Sequence, residues 1–175
     1  ATVSAIINSE RSCIMSTSQN SLVLSATGSC VKSSKYTSIL LGGSHSISNS
    51  DGSQIIGVRG NCINFSPKSS IISSIESKID YYKDISSGEF NGILFSCVSC
   101  VMATTASFIL GGKCNRITHC DSSILGGCKN IIGAQRASII NSNDSQISGG
   151  NCLGVILGGK LNIISESTGS SIISS

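Results

Sequence analysis

The sequence predicts an all-β chain folded as a parallel β-solenoid, in which short coils of two strands stack along one axis. A repeat of about 16 residues runs through the whole chain. The composition, with 39 Ser and 27 Ile among 175 residues, favours strands over helices. Charged residues make up only 12% of the chain, about half the usual share. We expect a single repeat domain over residues 1–175.

The first half of each repeat is a pair of aliphatic residues, as in segments 107–112, 122–127 and 154–159. With the first member of each pair as the anchor, the spacings are 15 to 17 residues, and one spacing is 22. The anchors are Ile6, Val23, Leu40, Ile55, Ile71, Ile93, Ile109, Ile124, Ile139, Ile156 and Ile172. They predict about eleven coils, which at ~4.8 Å each form a rod of roughly 50 Å.

The second half of each repeat predicts a second strand. Ser or Asn stands six residues after the anchor, and an aliphatic residue follows two positions later. The coil anchored at Leu40 departs from this rule, because Ser48 holds the aliphatic position, and we expect Ile47 to replace it. Parallel in-register stacking would place Ser on Ser, Ile on Ile and Asn on Asn.

The residue after each anchor predicts an oligomer. Neighbouring residues of a strand point to opposite faces, so one aliphatic column fills the coil and the other points outward. An outward aliphatic stripe along the rod marks an interface, and we expect a homo-oligomer. The predicted interface residues are Ile7, Leu24, Leu41, Ile56, Ile72, Leu94, Leu110, Leu125, Ile140, Leu157 and Ile173. The alternative is a monomer whose stripe is covered by another segment or partner.

The 22-residue spacing predicts a loop insertion near residues 80–91, at a corner of the solenoid. Loops on a rigid scaffold often carry recognition, so this segment is a candidate receptor-contact loop. Its aromatic rings could stack on a sugar, or the tyrosines could simply pack over the corner. The candidate contact residues are Tyr81, Tyr82, Lys83, Asp84, Glu89 and Phe90.

The nine cysteines cannot all pair within one chain. Cys13 and Cys30 share a register position in adjacent coils, within disulfide range. Residues 1–10 lack the pattern of a secretory signal, so we expect mostly reduced thiols. Cys97 and Cys100 have metal-ligand spacing, but four converging ligands would be needed. We predict no metal and no cofactor.

Other functional classes find little support in the sequence. There is no catalytic motif, so we predict that the chain is not an enzyme. No basic cluster indicates nucleic-acid binding, and no apolar run is long enough for membrane insertion. Calcium-binding rolls carry an Asp that is absent after the Gly-Gly pairs here. Ice-binding solenoids present outward Ser or Thr ladders, whereas the outward columns here are aliphatic or irregular.

The repeat Ser-x-Ile-Leu-Gly-Gly-x-x-Asn-x-Ile resembles the head repeats of YadA-type trimeric autotransporter adhesins. It is more similar to versions in fibre and surface proteins of large DNA viruses and phages. The resemblance covers nearly all of residues 4–175, although bacterial repeats are usually about 14 residues long. It implies a left-handed β-roll that trimerises around a hydrophobic axis.

The resemblance also implies a structural fibre or head module on a virion surface, made in the host cytoplasm, or on an extracellular appendage. Such a rod would serve host attachment or display, and its partners would be its own copies, other virion or surface proteins and a host glycan or receptor. Two alternatives stay open at this point. The chain could be a capsid cement or spacer without a receptor, or a fibre-borne polysaccharide hydrolase.

Overall fold

The computed structural model describes residues 3–15, 17–80, 89–102, 105–149, 153–166 and 168–173. In this part of the chain 21 short strands form two parallel sheets of eleven and ten strands. The chain alternates between the two sheets, so each turn of the solenoid adds one strand to each sheet. The predicted all-β parallel solenoid is confirmed, with about ten turns. The described residues include no helix long and apolar enough to cross a membrane.

Sheet 1 contains the odd-numbered strands in chain order, and sheet 2 contains the even-numbered strands. The strands of sheet 1 are β1 (Ala5–Ile7), β3 (Leu22–Thr27), β5 (Ser38–Gly43), β7 (Gln54–Ile56), β9 (Ser70–Ile72), β11 (Gly92–Leu94), β13 (Phe108–Leu110), β15 (Ser123–Leu125), β17 (Ser138–Ile140), β19 (Val155–Leu157) and β21 (Ser171–Ile173). The strands of sheet 2 are β2 (Cys13–Ile14), β4 (Cys30–Lys32), β6 (Ser46–Ser48), β8 (Cys62–Asn64), β10 (Lys78–Asp80), β12 (Cys100–Met102), β14 (Arg116–Ile117), β16 (Ile131–Gly133), β18 (Gln146–Ser148) and β20 (Ile163–Ser165).

The core consists of two facing aliphatic ladders. Each sheet contributes the central residue of its strands, and the neighbours of that residue point outward because side chains alternate along a strand. Val23 and the sheet 1 anchors that follow it, from Ile39 to Ile156, are fully buried. Their partners in sheet 2, from Val31 to Ile164, are at most 4% exposed. Burial of each of these side chains stabilises the folded state by about 1.5–3 kcal/mol.

The register of the third coil corrects the sequence prediction. Ile39 pairs with Val23 and Ile55 and is fully buried, so Ile39, not Leu40, is the anchor. Leu40 then points outward in the column of the predicted interface residues, and Leu41 does not belong to it. Leu41 turns the corner instead, with φ of 62°. The run of three aliphatic residues allowed either frame, and only strand pairing distinguishes them.

The same shift changes the residue at the corner of this coil. His45, rather than Ser46, stands six residues after the anchor, and it is buried. Ile47 pairs with Val31 and Ile63 and is fully buried, as predicted for this coil. The repeat rule therefore holds here once the anchor moves by one residue.

Buried polar side chains connect the coils at the corners. The side chain six residues after each anchor accepts a hydrogen bond from the backbone N–H at the same position of the next coil. The ladder consists of Ser12, Ser29, His45, Asn61, Ser77, Ser99, Asn115, Asn130, Ser145 and Asn162. A second ladder, two residues before the anchor, includes Ser53, Ser69, Asn91, Ser107 and Ser122. Small polar side chains thus satisfy N–H groups that would otherwise be buried without a partner.

Candidate functional site

The outer face of sheet 1 carries a continuous aliphatic stripe. Strand pairing aligns the residue after each anchor from Ile7 to Ile173, with Leu40 as the third member. Stacked neighbours shield each other in the middle of the rod, yet Leu110 is still 40% exposed and Leu157 41%. Ten of the eleven predicted interface residues therefore lie in one line, with Leu40 in place of Leu41.

No charged residue occurs in any strand of sheet 1. The second outward column of this sheet holds mostly small or uncharged polar residues, such as Ser38, Gln54 and Ser70. The outer face of sheet 2 differs, because Lys32, Lys78 and Asp80 project from it, and the Lys78 Nζ atom lies 2.6 Å from an Asp80 carboxylate oxygen. The rod thus has one uncharged apolar face and one polar, charged face.

A groove of about 670 Å³ lies at the corner where sheet 2 strands lead into sheet 1 strands. Its lining residues are Ser33, Tyr36, Asn49, Asp51, Gly52, Pro67, Lys68 and Glu89. Three residues of one corner column, Tyr36, Gly52 and Lys68, each three before an anchor, line it in that order, and Phe90, the next member of the column, adjoins it beside Lys68. The rings of Tyr36 and Phe90 are 70% and 60% exposed, and three coil steps separate their backbones by roughly 14 Å.

The charged groups of the groove already have partners. The Lys68 Nζ atom lies 3.1 Å from a Glu89 carboxylate oxygen and 5.0 Å from the centre of the Phe90 ring. The Asp51 Oδ1 atom accepts a hydrogen bond of 2.7 Å from the backbone N–H of Lys35. Gly52 leaves the space beside Lys68 open, since a Cβ there would touch only the lysine at 3.6 Å. The groove can offer aromatic faces and polar edges to a ligand.

Two predicted contact residues, Glu89 and Phe90, belong to this corner, and Tyr81, Tyr82, Lys83 and Asp84 lie outside the described residues. The additional residues fall between β10 and β11, where residues 81–91 replace the equivalents of 65–69 in the preceding turn. Sequence reasoning missed Tyr36 and Lys68. For Lys68 the signal was available, because it stands three residues before the anchor Ile71, as Phe90 does before Ile93. Tyr36 takes this position only once strand pairing moves the anchor of its coil to Ile39.

The eight cysteines among the described residues lie on the outer face of sheet 2 and at the corners. Burial raises the pKa of the Cys62 and Cys100 thiols, which keeps both protonated. Cys97 is aligned with Lys113, so Cys114 is offset from it by one residue along the next coil. In the described parts of the chain, no three His, Cys, Asp or Glu side chains form a group that could hold a metal ion.

No model of a known protein family matches the chain, and no curated protein is similar to it by sequence.

Proposed function

We propose that the chain is a rigid structural rod whose copies assemble through the aliphatic stripe of sheet 1 into a fibre or head module. The observation that carries the proposal is the unbroken line from Ile7 to Ile173 on a face without charge. An apolar stripe that runs the length of the rod is unfavourable in water. Burying the stripe in an interface removes this free-energy cost.

A second copy of the same chain suits this face better than an unrelated partner. Every copy presents the same ladder with the same spacing of ~4.8 Å, so parallel copies can interdigitate along the full rod. The absence of charge in sheet 1 means that like faces do not repel. Cyclic symmetry would bury every stripe at a common axis. The resemblance to YadA-type heads supports three copies, a left-handed coil and a place on a virion or surface appendage.

Solution mass tests the assembly. Light scattering should give a multiple of the 17.9 kDa chain mass, and three copies under the trimer hypothesis. The double variant Leu125→Lys/Ile140→Lys places two charges on adjacent strands of sheet 1 and should reduce the mass to that of one chain. Retained β-sheet circular dichroism would show that the monomer is still folded.

The matched control is Ile131→Lys/Gln146→Lys, which places the same two charges on adjacent outward positions of sheet 2. It should leave the oligomer intact. A wild-type chain that stays monomeric at high concentration would contradict the proposal. Equal dissociation by both double variants would place the interface elsewhere.

For attachment, we propose the corner groove and the adjoining Phe90 ring as the contact surface, because together they combine two exposed aromatic residues with polar groups. Aromatic faces stack on sugar rings, which makes a glycan the chemistry that fits. Both carboxylates that line the groove already have partners. Asp51 accepts a hydrogen bond from the Lys35 backbone N–H, and Glu89 pairs with Lys68. This arrangement favours binding of a glycan over its hydrolysis. The alternative function is a spacer or cement protein, which would need no ligand here.

Glycan-array and cell-binding assays separate attachment from the spacer function. Tyr36→Ala/Phe90→Ala should lower binding at least about tenfold, as expected when stacking contacts worth ~1.4 kcal/mol or more are lost. The control is Phe95→Ala, which removes a ring that is 63% exposed at the opposite corner. No binding by the wild-type oligomer would favour the spacer.

A further inference from the structure

The outer face of sheet 2 contains one pair of cysteines stacked directly on each other. Cys13 in β2 and Cys30 in β4 are register partners, and their Sγ atoms are 2.6 Å apart. Both are free thiols, with Cys13 exposed and Cys30 half-buried. In this outward column the next members are Ser46, Cys62, Lys78 and Cys100, so no other two described cysteines are neighbours in it.

We propose that Cys13 and Cys30 form a dithiol site that a small disulfide oxidant, such as oxidised glutathione, converts to a disulfide between the first two coils. The site is independent of the proposed assembly, because it lies on the sheet opposite the aliphatic stripe. In-register positions of parallel strands, about 4.8 Å apart at Cα, satisfy the Cα separation of a disulfide without backbone movement.

The exchange proceeds in two balanced steps. The Cys13 thiolate attacks one sulfur of the oxidant, forms a mixed disulfide and releases the first glutathione as a thiolate. The Cys30 thiolate then attacks the Cys13 sulfur, forms the protein disulfide and releases the second glutathione. Two electrons pass from the two protein thiols to the oxidant, and the two thiol protons end on the released glutathione.

The environment sets the order of the two attacks. Burial, together with the hydrogen bond between the two thiols, raises the pKa of the Cys30 thiol to about 11. Cys13 is the exposed member and is accessible to the oxidant. A thiolate is the attacking species, so the exposed thiol reacts first and the half-buried thiol resolves the mixed disulfide.

The bond would fasten the more loosely packed of the two coils. Ile6, the anchor of the coil that holds Cys13, is 44% exposed, whereas Val23 and Val31 of the next coil are fully buried. Backbone hydrogen bonds join the coils from Cys13 N–H to Ser29 O and from Met15 N–H to Val31 O. A covalent cross-link between the same residues restricts separation of the two coils.

The test is oxidation of the full chain with oxidised glutathione, followed by alkylation and non-reducing peptide mapping. We expect one dominant cross-linked peptide that joins Cys13 to Cys30 and an intact mass lower by two hydrogen atoms. Cys30→Ser should trap glutathione on Cys13, and Cys62→Ser should leave the Cys13–Cys30 cross-link unchanged. Hydrogen exchange at the Cys13 and Met15 amides should slow roughly tenfold or more after oxidation.

Two outcomes would overturn the proposal. One is accumulation of glutathione on the wild-type Cys13 without a second step. The other is a dominant cross-link between different cysteines. Because Cys30→Ser changes a half-buried side chain to one found elsewhere in the same column, at Ser46, it should fold, and circular dichroism checks this directly.

Discussion

His45 shows how one position of the repeat fixes the protonation state of a side chain. Its Nδ1 atom lies 3.3 Å from the Asn61 backbone N–H, which can only donate, and its Nε2 atom lies 3.1 Å from the Leu41 carbonyl oxygen, which can only accept. The ring is therefore neutral, with the proton on Nε2. Burial lowers the pKa of His45 below 6.5, because the charged form loses hydration.

The pH dependence of stability follows from this lowered pKa. In acid the unfolded chain binds the proton first, so the contribution of His45 is fully present above about pH 6.5 and is lost as the pH falls towards the folded-state pKa. Between these values the free energy of unfolding should fall by at most ~1.4 kcal/mol per pH unit. Urea unfolding at a series of pH values measures this slope.

The control variant is His45→Asn, which places in the third coil the residue that Asn61 supplies in the fourth. An Asn does not titrate and can accept the same N–H bond, so the slope just below about pH 6.5 should flatten. An unchanged slope in this variant would show that another group causes the pH dependence.

At the scale of the element, two designs recur at the corners after sheet 1 strands. Where Ser stands three residues after the anchor, Ser also stands at six, and in two of these corners the hydroxyls bond to each other, at 2.5 Å for Ser96–Ser99 and 2.6 Å for Ser142–Ser145. In three coils Gly stands at three and Asn at six, and the Asn115 amide, for example, reaches the Gly127 carbonyl of the next coil; the third coil has Gly42 with His45 instead. Each pair fills the same small volume.

The adjacent glycines Gly111 and Gly112 provide a matched test of the second design. Both have positive φ, of 75° and 86°. A Cβ at Gly111 would meet no atom within 4 Å, whereas one at Gly112 would lie 2.5 Å from the Asn115 Nδ2 atom and closer still to the Gly127 carbonyl oxygen. Gly111→Ala should cost about 1–2 kcal/mol from the backbone alone.

Gly112→Ala should cost that amount and a further ~1–3 kcal/mol, because the backbone of the next coil would have to move. Chemical denaturation of the two single variants, at equal protein concentration, gives the difference in the free energy of unfolding. Equal losses would mean that the Gly-Asn corner tolerates a side chain.

Much of the element pattern is readable from the sequence, because each coil repeats the same physical requirement. An aliphatic residue at every anchor and Ser or Asn six residues later predict the two sheets and most of their register. The anchor of the third coil could not be identified from the sequence, because the run Ile39, Leu40 and Leu41 fits the pattern in either of two frames. Strand pairing identifies Ile39 as the anchor. The groove was only partly predicted, because Tyr36 and Phe90 are 54 residues apart in sequence and are brought into one corner column only by the stacking of coils.

For the whole molecule, a stack of equivalent coils predicts tolerance to the loss of one coil. Deletion of residues 109–123 joins Phe108 to Ile124, and because Phe108 and Ser123 are register partners the alternation between sheets is preserved. Stability of repeat proteins is close to a sum over repeats and their interfaces. We therefore expect the same circular dichroism per residue and a melting temperature lower by only a few degrees.

The matched control removes half a coil. Deletion of residues 109–116 joins Phe108 to Ile117 and brings two strands of sheet 1 into succession, with no strand of sheet 2 between them. This variant should lose cooperative unfolding. A half-coil deletion that unfolds like the full-coil deletion would contradict the two-sheet register as the basis of stability.

The corner ladders also give the rod a direction of growth. In each bond the acceptor belongs to the earlier coil and the N–H donor to the later one, from Ser12 and Ser29 to Ser145 and Asn162. A nascent chain leaves the ribosome amino end first. Each folded coil therefore presents hydrogen-bond acceptors to the backbone N–H groups of the coil that is synthesised next. We expect the rod to be built turn by turn during translation, and protease resistance of ribosome-bound chains should advance in steps of one coil.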